Sequence, residues 1–166
     1  MSIAISAKAD PEHPDDLSIQ GICCMTHYRT NDLLIGFQGD QPDDNSLNVF
    51  IFKERQTTLV IARGAIEEGT TLASTYALQL KVLKHQVKAL QYTGPKAVMT
   101  GEDDHLEGLE VVTQFIQGSS PSYQYQLVCQ VPGEPRMLAL TYSKKSVLTD
   151  ADCDHWRAIK HTLRFV

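Results

Sequence analysis

No stretch of the sequence reaches the roughly 18 consecutive apolar residues that a membrane-spanning helix needs, so the chain is not expected to be membrane-embedded. Positive charge is also short. Fifteen Lys and Arg stand against 20 Asp and Glu, a formal net charge of −5, which is the wrong field for a phosphate-backbone binder, and nucleic acid is not an expected partner. Cysteine is limited to Cys23, Cys24, Cys129 and Cys153. The adjacent pair suits a disulfide poorly, the other two lie far apart, and no C-x-x-C offers zinc its spacing. Free thiols in a reducing compartment are the expectation. The opening MSIAISAKADPEHPDD has neither a basic start nor an apolar run before a cleavage site, so a cytoplasmic location is expected.

Catalytic signatures are missing as well. The sequence contains no G-x-S-x-G, no G-x-x-x-x-G-K and no G-x-G-x-x-G. The run Asp150-Ala151-Asp152-Cys153-Asp154 resembles the start of a calcium loop, but His155 occupies the sixth position, where glycine is required, and His161 the twelfth, where glutamate is required. Those two histidines are six apart and do not share a helix face as metal ligands would. Cys129 lies within an apolar run, where a small buried hydrophobe is expected. The chain reads as a protein without catalytic function, metal or cofactor.

What is present is ordinary globular material. The 166 residues are 42% hydrophobic and 21% charged, enough for one domain with a real core. Residues 1–24 read as an N-terminal extension: Pro11, Pro14 and Asp15-Asp16 interrupt any periodicity, a composition open to disorder. Met25 is a second candidate start, and 25–166 is the domain proper. Gln38–Asn45 reads as a loop, followed by strands over Leu47–Phe52 and Thr57–Ala62. The first of these is apolar on both faces, which predicts cover on both sides.

The spacing then predicts a helix over Leu72–Leu90, with Thr70 or Thr71 as its cap. Ala73, Tyr76, Leu80, Leu83, Val87 and Leu90 recur at steps of three and four and form one stripe. Leu78, Val82 and Ala89 form a second, so the helix has something beyond a sheet to cover it. Gln79 flanks the main stripe. Further strands are expected at Ala97–Thr100, Leu109–Gln117, Tyr123–Val131 and Arg136–Tyr142, joined by short turns and so antiparallel. A last helix starts at Thr149, with Asp150, Asp152 and Asp154 at its positive end and Trp156, Ile159 and Leu163 as its buried stripe. The expected fold is α+β: a mostly antiparallel sheet with one long helix and a C-terminal helix packed on it.

The amides are unusually placed. Gln124, Gln126 and Gln130 share one face of their strand, and Tyr123, Tyr125, Leu127, Cys129 and Val131 the other. A polar, solvent-facing sheet surface is one reading. The other is a concave apolar surface whose neutral amides can bond polar groups of a bound apolar segment without burying a charge.

Several of these segments, in order and spacing, resemble one family. They are Asn45-Ser46-Leu47-Asn48-Val49-Phe50, Val60-Ile61-Ala62-Arg63, Glu68-Gly69, Gln79-Leu80…Leu83…Gln86-Val87 and Tyr125-Gln126. The sequence from Met25 to Val166 is similar to the Eag-type chaperones of bacterial type VI secretion, a branch of the DcrB-like proteins. It departs from them in having Arg63-Gly64 where Arg-Asp is common, and Lys88-Ala89-Leu90 where Pro-Gly-Phe is frequent. The usual Trp before the first strand is absent.

The resemblance implies a PsbP-like fold and a homodimer. It implies binding of the N-terminal transmembrane region of a secreted effector, and loading of that effector onto the VgrG spike. It assigns the effector-helix-binding groove to Leu47 and Val49 on the first strand, Val60 on the second, and Gln79, Leu83 and Val87 on the helix. Gln126 on the late strand completes it, with Gln124 as the alternative for its place. A carrier of a small apolar ligand or lipid would suit the same walls and is the second reading; an enzyme is the third.

Overall fold

The computed structural model describes residues 27–29, 32–37 and 42–165. The N-terminal extension 1–24, Met25, Cys23, Cys24 and the stretch Gln38–Gln41 lie outside the described residues. Contacts divide the chain into two units, one ending at Asp43 and the other running from Asp44 to Val166. In the first, β1 (His27–Arg29) and β2 (Leu34–Gly36) pair antiparallel, with Tyr28 opposite Ile35.

The second unit is α+β. Its strands are β3 (Leu47–Phe52), β4 (Thr57–Ala65), β5 (Lys88–Tyr92), β6 (Lys96–Thr100), β7 (Leu106–Gln117), β8 (Ser120–Gln130) and β9 (Arg136–Lys144). They form one antiparallel sheet in the order β3-β4-β9-β8-β7-β5, with β6 also pairing β7. Helices α1 (Leu72–Gln86) and α2 (Asp150–His161) complete it.

The two helices pack on opposite faces of the sheet. Tyr76 and Leu80 of α1 join Ile66, Val111, Val128, Met137 and Ala139 in one buried cluster. Trp156 of α2 joins Leu59, Leu106, Leu127, Cys129, Leu140 and Tyr142 in the other. The period-two alternation of β8 and β9 supplies both, because Val128 and Ala139 face α1 while Leu127 and Leu140 face α2. Cys129 is a buried member of that core, and burial pushes its thiol up to about 11. Trp156 Nε1 donates to Glu110 Oε1 at 2.7 Å, and the Lys160 ammonium reaches the same oxygen at 2.6 Å.

Both helix starts follow from sequence. Thr71 caps α1 in a reciprocal box with Ser74, and Thr149 caps α2 in the same way with Asp152. The Asp152 carboxylate is buried and accepts from Thr149 N, Thr149 Oγ1 and Lys144 Nζ, each at 2.9 Å. Among the described residues no helix is long and apolar enough to cross a membrane.

Two expectations are corrected. The helix does not continue to Leu90: Val87 is its extended C-cap (φ −124°, ψ 162°), and Lys88–Tyr92 is strand β5. The open ladder of β7 takes this segment, pairing Lys88 with Ile116 and Gln91 with Gln114, and Ala89 at φ 53° absorbs the register shift between them. Long-range pairing overrides the helical period. Strand β3, expected to be covered on both sides, is the sheet's edge. Leu47, Val49 and Ile51 are 64%, 56% and 68% exposed on the α1 face, and Phe50 is 46% exposed on the other.

Candidate functional site

The α1 face of the sheet carries more apolar surface than α1 covers. Helix α1 buries Tyr76 and Leu80 and turns its second stripe outward, leaving Leu78 62% and Val82 48% exposed. Between this flank and β8 lies a hollow of about 380 Å³. Tyr76, Leu80 and Leu83 form its inner wall, Leu78 and Val82 its rim, and Gln79, Gln86 and Gln126 its polar points. None of these side chains is charged at neutral pH. Burial raises the Tyr76 pKa well above its ordinary value, so the phenol stays protonated and acts as a donor.

Gln126 is held at both ends of its amide. Its Oε1 accepts from the Tyr76 hydroxyl, and its Nε2 donates to Thr141 Oγ1 at 3.0 Å. One N–H and one lone pair are left for a ligand. Gln124, two residues earlier on the same face, donates to Ser122 Oγ at 3.1 Å and accepts from Thr113 Oγ1 at 3.3 Å. Gln126 lines the hollow and Gln124 does not.

The sheet extends this surface to its edge. Register aligns Val49, Val60, Thr141 and Gln126 in one row across four strands, all on the α1 side. Leu47 stands opposite Ala62, which packs against the α1 cluster. Of the seven residues assigned to the groove, Gln79, Leu83 and Gln126 therefore meet in one hollow. Leu47, Val49 and Val60 continue the same face beyond it. Val87 is half-buried at the end of the helix and does not line the hollow. Gln114 lies on the opposite face, opposite Tyr123, where its amide donates to Gln91 Oε1 at 2.6 Å.

Some of these contributors were plain in sequence and others were not. The second stripe on α1 marks Leu78 and Val82. Thr141, which holds the Gln126 amide, carries no signal of its own; only the pairing of β9 with β8 brings it there.

The arrangement suits an apolar, elongated partner. It offers aliphatic walls, a few neutral hydrogen-bonding groups and an open side, and no nucleophile paired with a base.

A sequence profile of the DcrB family matches residues 39–162. No curated protein matches the chain in sequence. Among solved structures, the crystal structure of PA94 from Pseudomonas aeruginosa is similar: a protein of unknown function for which a regulatory role has been suggested. The two share 20% identity with a TM-score of 0.64, over 86% of this chain and 97% of that one. At that identity the likeness concerns the fold alone. The family profile, by contrast, spans the whole seven-stranded sheet and both helices, and the chain belongs to the DcrB family.

Proposed function

We propose that this DcrB-family chain is an effector chaperone of the Eag type. In this reading it is a cytoplasmic homodimer that binds the N-terminal transmembrane helices of a type VI secretion effector. It shields them until the effector is loaded onto the VgrG spike. The observation that carries the reading is the uncharged, exposed apolar surface formed by Leu78 and Val82 on α1, continuing to Val49 and Leu47 on β3.

The energetics favour such a client. A transmembrane helix of about 20 residues exposes on the order of 1,500 Å² of apolar surface, worth tens of kcal/mol at about 25 cal/mol per Å². Covering a third of that competes well with aggregation. Gln79 and Gln126 add hydrogen bonds to polar groups of the bound helix without leaving an unpaired charge in the interface. The exposed rim at Leu78 and Val82 suits an elongated partner better than an enclosed acyl chain.

The test is co-expression with an effector that bears N-terminal transmembrane segments. Val82→Asp, at an exposed position, and Leu83→Asp should keep the far-ultraviolet spectrum of the parent and lose the co-purifying effector. Retention of the effector at parental yield by both variants would overturn the groove. Native mass spectrometry of protein from its host distinguishes the carrier reading, which requires a bound small molecule.

A further inference from the structure

Beyond the apolar groove, the same sheet face ends in a hollow of opposite character. It has a volume of about 520 Å³ and lies past the Val60–Thr141–Gln126 row. Its lining includes Thr58, Ser120, Ser122, Lys145, Ser146 and Gln117. Register makes it continuous with the groove. Thr58 and Ser143 lie two residues along from Val60 and Thr141, and Gln126, Gln124 and Ser122 alternate down one side of β8. Two residues of strand are about 7 Å, so the polar hollow starts one row beyond the groove floor.

Its chemistry is one-sided. The chain carries a net charge of −5, yet no Asp or Glu lines this hollow. The Lys144 ammonium is turned to the opposite face, onto Asp152, which leaves Lys145 as the cation here. Among the described residues, the side chains of Lys145, Ser120, Ser146 and Gln117 make no hydrogen bond or ion pair. Ser122 Oγ already accepts from Gln124 and keeps its own proton to give. The only charge the hollow keeps for itself is positive, and its unpartnered hydroxyls and amide have protons to give.

The C-terminal end of a helix has the complementary requirement. Its last four carbonyls have no partner within the helix, and the aligned peptide dipoles place about half a negative charge there. The N-terminal end presents N–H groups and positive potential, which Lys145 repels. We propose that this hollow is the end-stop of the groove and receives the carbonyl end of the bound apolar helix, so that the client lies with its C-terminus toward Lys145 and its N-terminus toward Leu47. The inference rests on the chaperone reading and adds a direction to it.

The probe is a synthetic helix of about 20 Leu and Ala residues with a Lys pair at each end, acetylated and amidated so that its termini differ only in peptide polarity. A photo-crosslinking benzoylphenylalanine replaces Ser146 in one preparation and Val82 in another. The expected result is an adduct from position 146 on the last turn of the peptide. An adduct on its first turn overturns the inference. So does an adduct from position 82 with none from 146, which leaves the groove standing. No adduct from either position overturns the inference and the chaperone reading together. With a probe whose C-terminal Lys pair is replaced by Asp, Lys145→Glu should weaken binding about threefold or more, and unchanged affinity counts against the assignment.

Discussion

The Tyr76 hydroxyl donates to the side-chain oxygen of Gln126 and so ties helix α1 to strand β8 at the floor of the groove. Tyr76 is buried, whereas Gln126 is partly open to the hollow. The two ends of this bond are therefore unequal: the tyrosine has no water to turn to, and the glutamine has.

That inequality predicts an order of mutational cost. Tyr76→Phe removes the donor and leaves an oxygen that solvent can reach, for a loss of about 1 kcal/mol. Gln126→Leu strands a buried hydroxyl and should cost about 1–3 kcal/mol. In urea denaturation the double variant should lose less than the sum of the two, because the second change removes a partner already gone. Equal costs for the two single variants would contradict the burial asymmetry.

On the other face, Glu110 accepts from both Trp156 and Lys160. Glu110→Ala leaves the indole N–H of a buried tryptophan without an acceptor, and the ammonium 5.6 Å from the ring centroid without its counter-charge. A loss of about 2–3 kcal/mol is expected by thermal or urea unfolding, together with a change in tryptophan fluorescence, which reports the single Trp of the chain. Glu110→Gln keeps an acceptor for Trp156 and should recover part of the loss.

Two groups of α2 give the fold an acid-sensitive limb. Burial would push the Asp152 carboxyl up, but hydrogen bonds from Thr149 and Lys144 outweigh it and hold the group below its ordinary value. Burial first and Arg55 second hold the His155 imidazole below its ordinary value, against the pull of Asp152. In both cases the unfolded chain takes up the proton first as pH falls. The His155 contribution is complete above about pH 6.5 and is lost as pH drops through the lower folded value; the Asp152 contribution is complete above about pH 3.9 and is lost below it. Melting temperature should fall between about pH 7 and pH 5, and His155→Gln should flatten that slope.

Much of this was legible in the chain. The strands β3 and β4, a threonine cap at Thr70 or Thr71 and another at Thr149, and the split of glutamines and tyrosines across β8 follow from period and capping chemistry, which act within a few residues. The helical period runs past the true end of α1 because Val87 and Leu90 keep it. Their fate was decided by β7, more than 20 residues away, whose Thr113, Gln114 and Ile116 offered backbone groups to pair. The exposure of β3 is hidden from the sequence for a related reason. An apolar strand looks the same in sequence at the centre of a sheet and at its rim, and its place depends on which partners the other strands choose. Val87 fell out of the groove with the end of the helix, whereas Gln79, Leu83 and Gln126 came together because a helix face and a strand face are both local patterns.

The rim strand has a consequence for the protein's own upkeep. Leu47–Phe52 has one polar side chain in six, no charge, no proline and no glycine, and one flank of its backbone is unpaired by the sheet. Such a segment is a template onto which any extended chain can be laid, including the fibril-forming kind. An unoccupied copy is thus a hazard to itself and to its neighbours. Any handling that bares this strand, such as concentration of the isolated chain, should therefore favour strand-to-strand association.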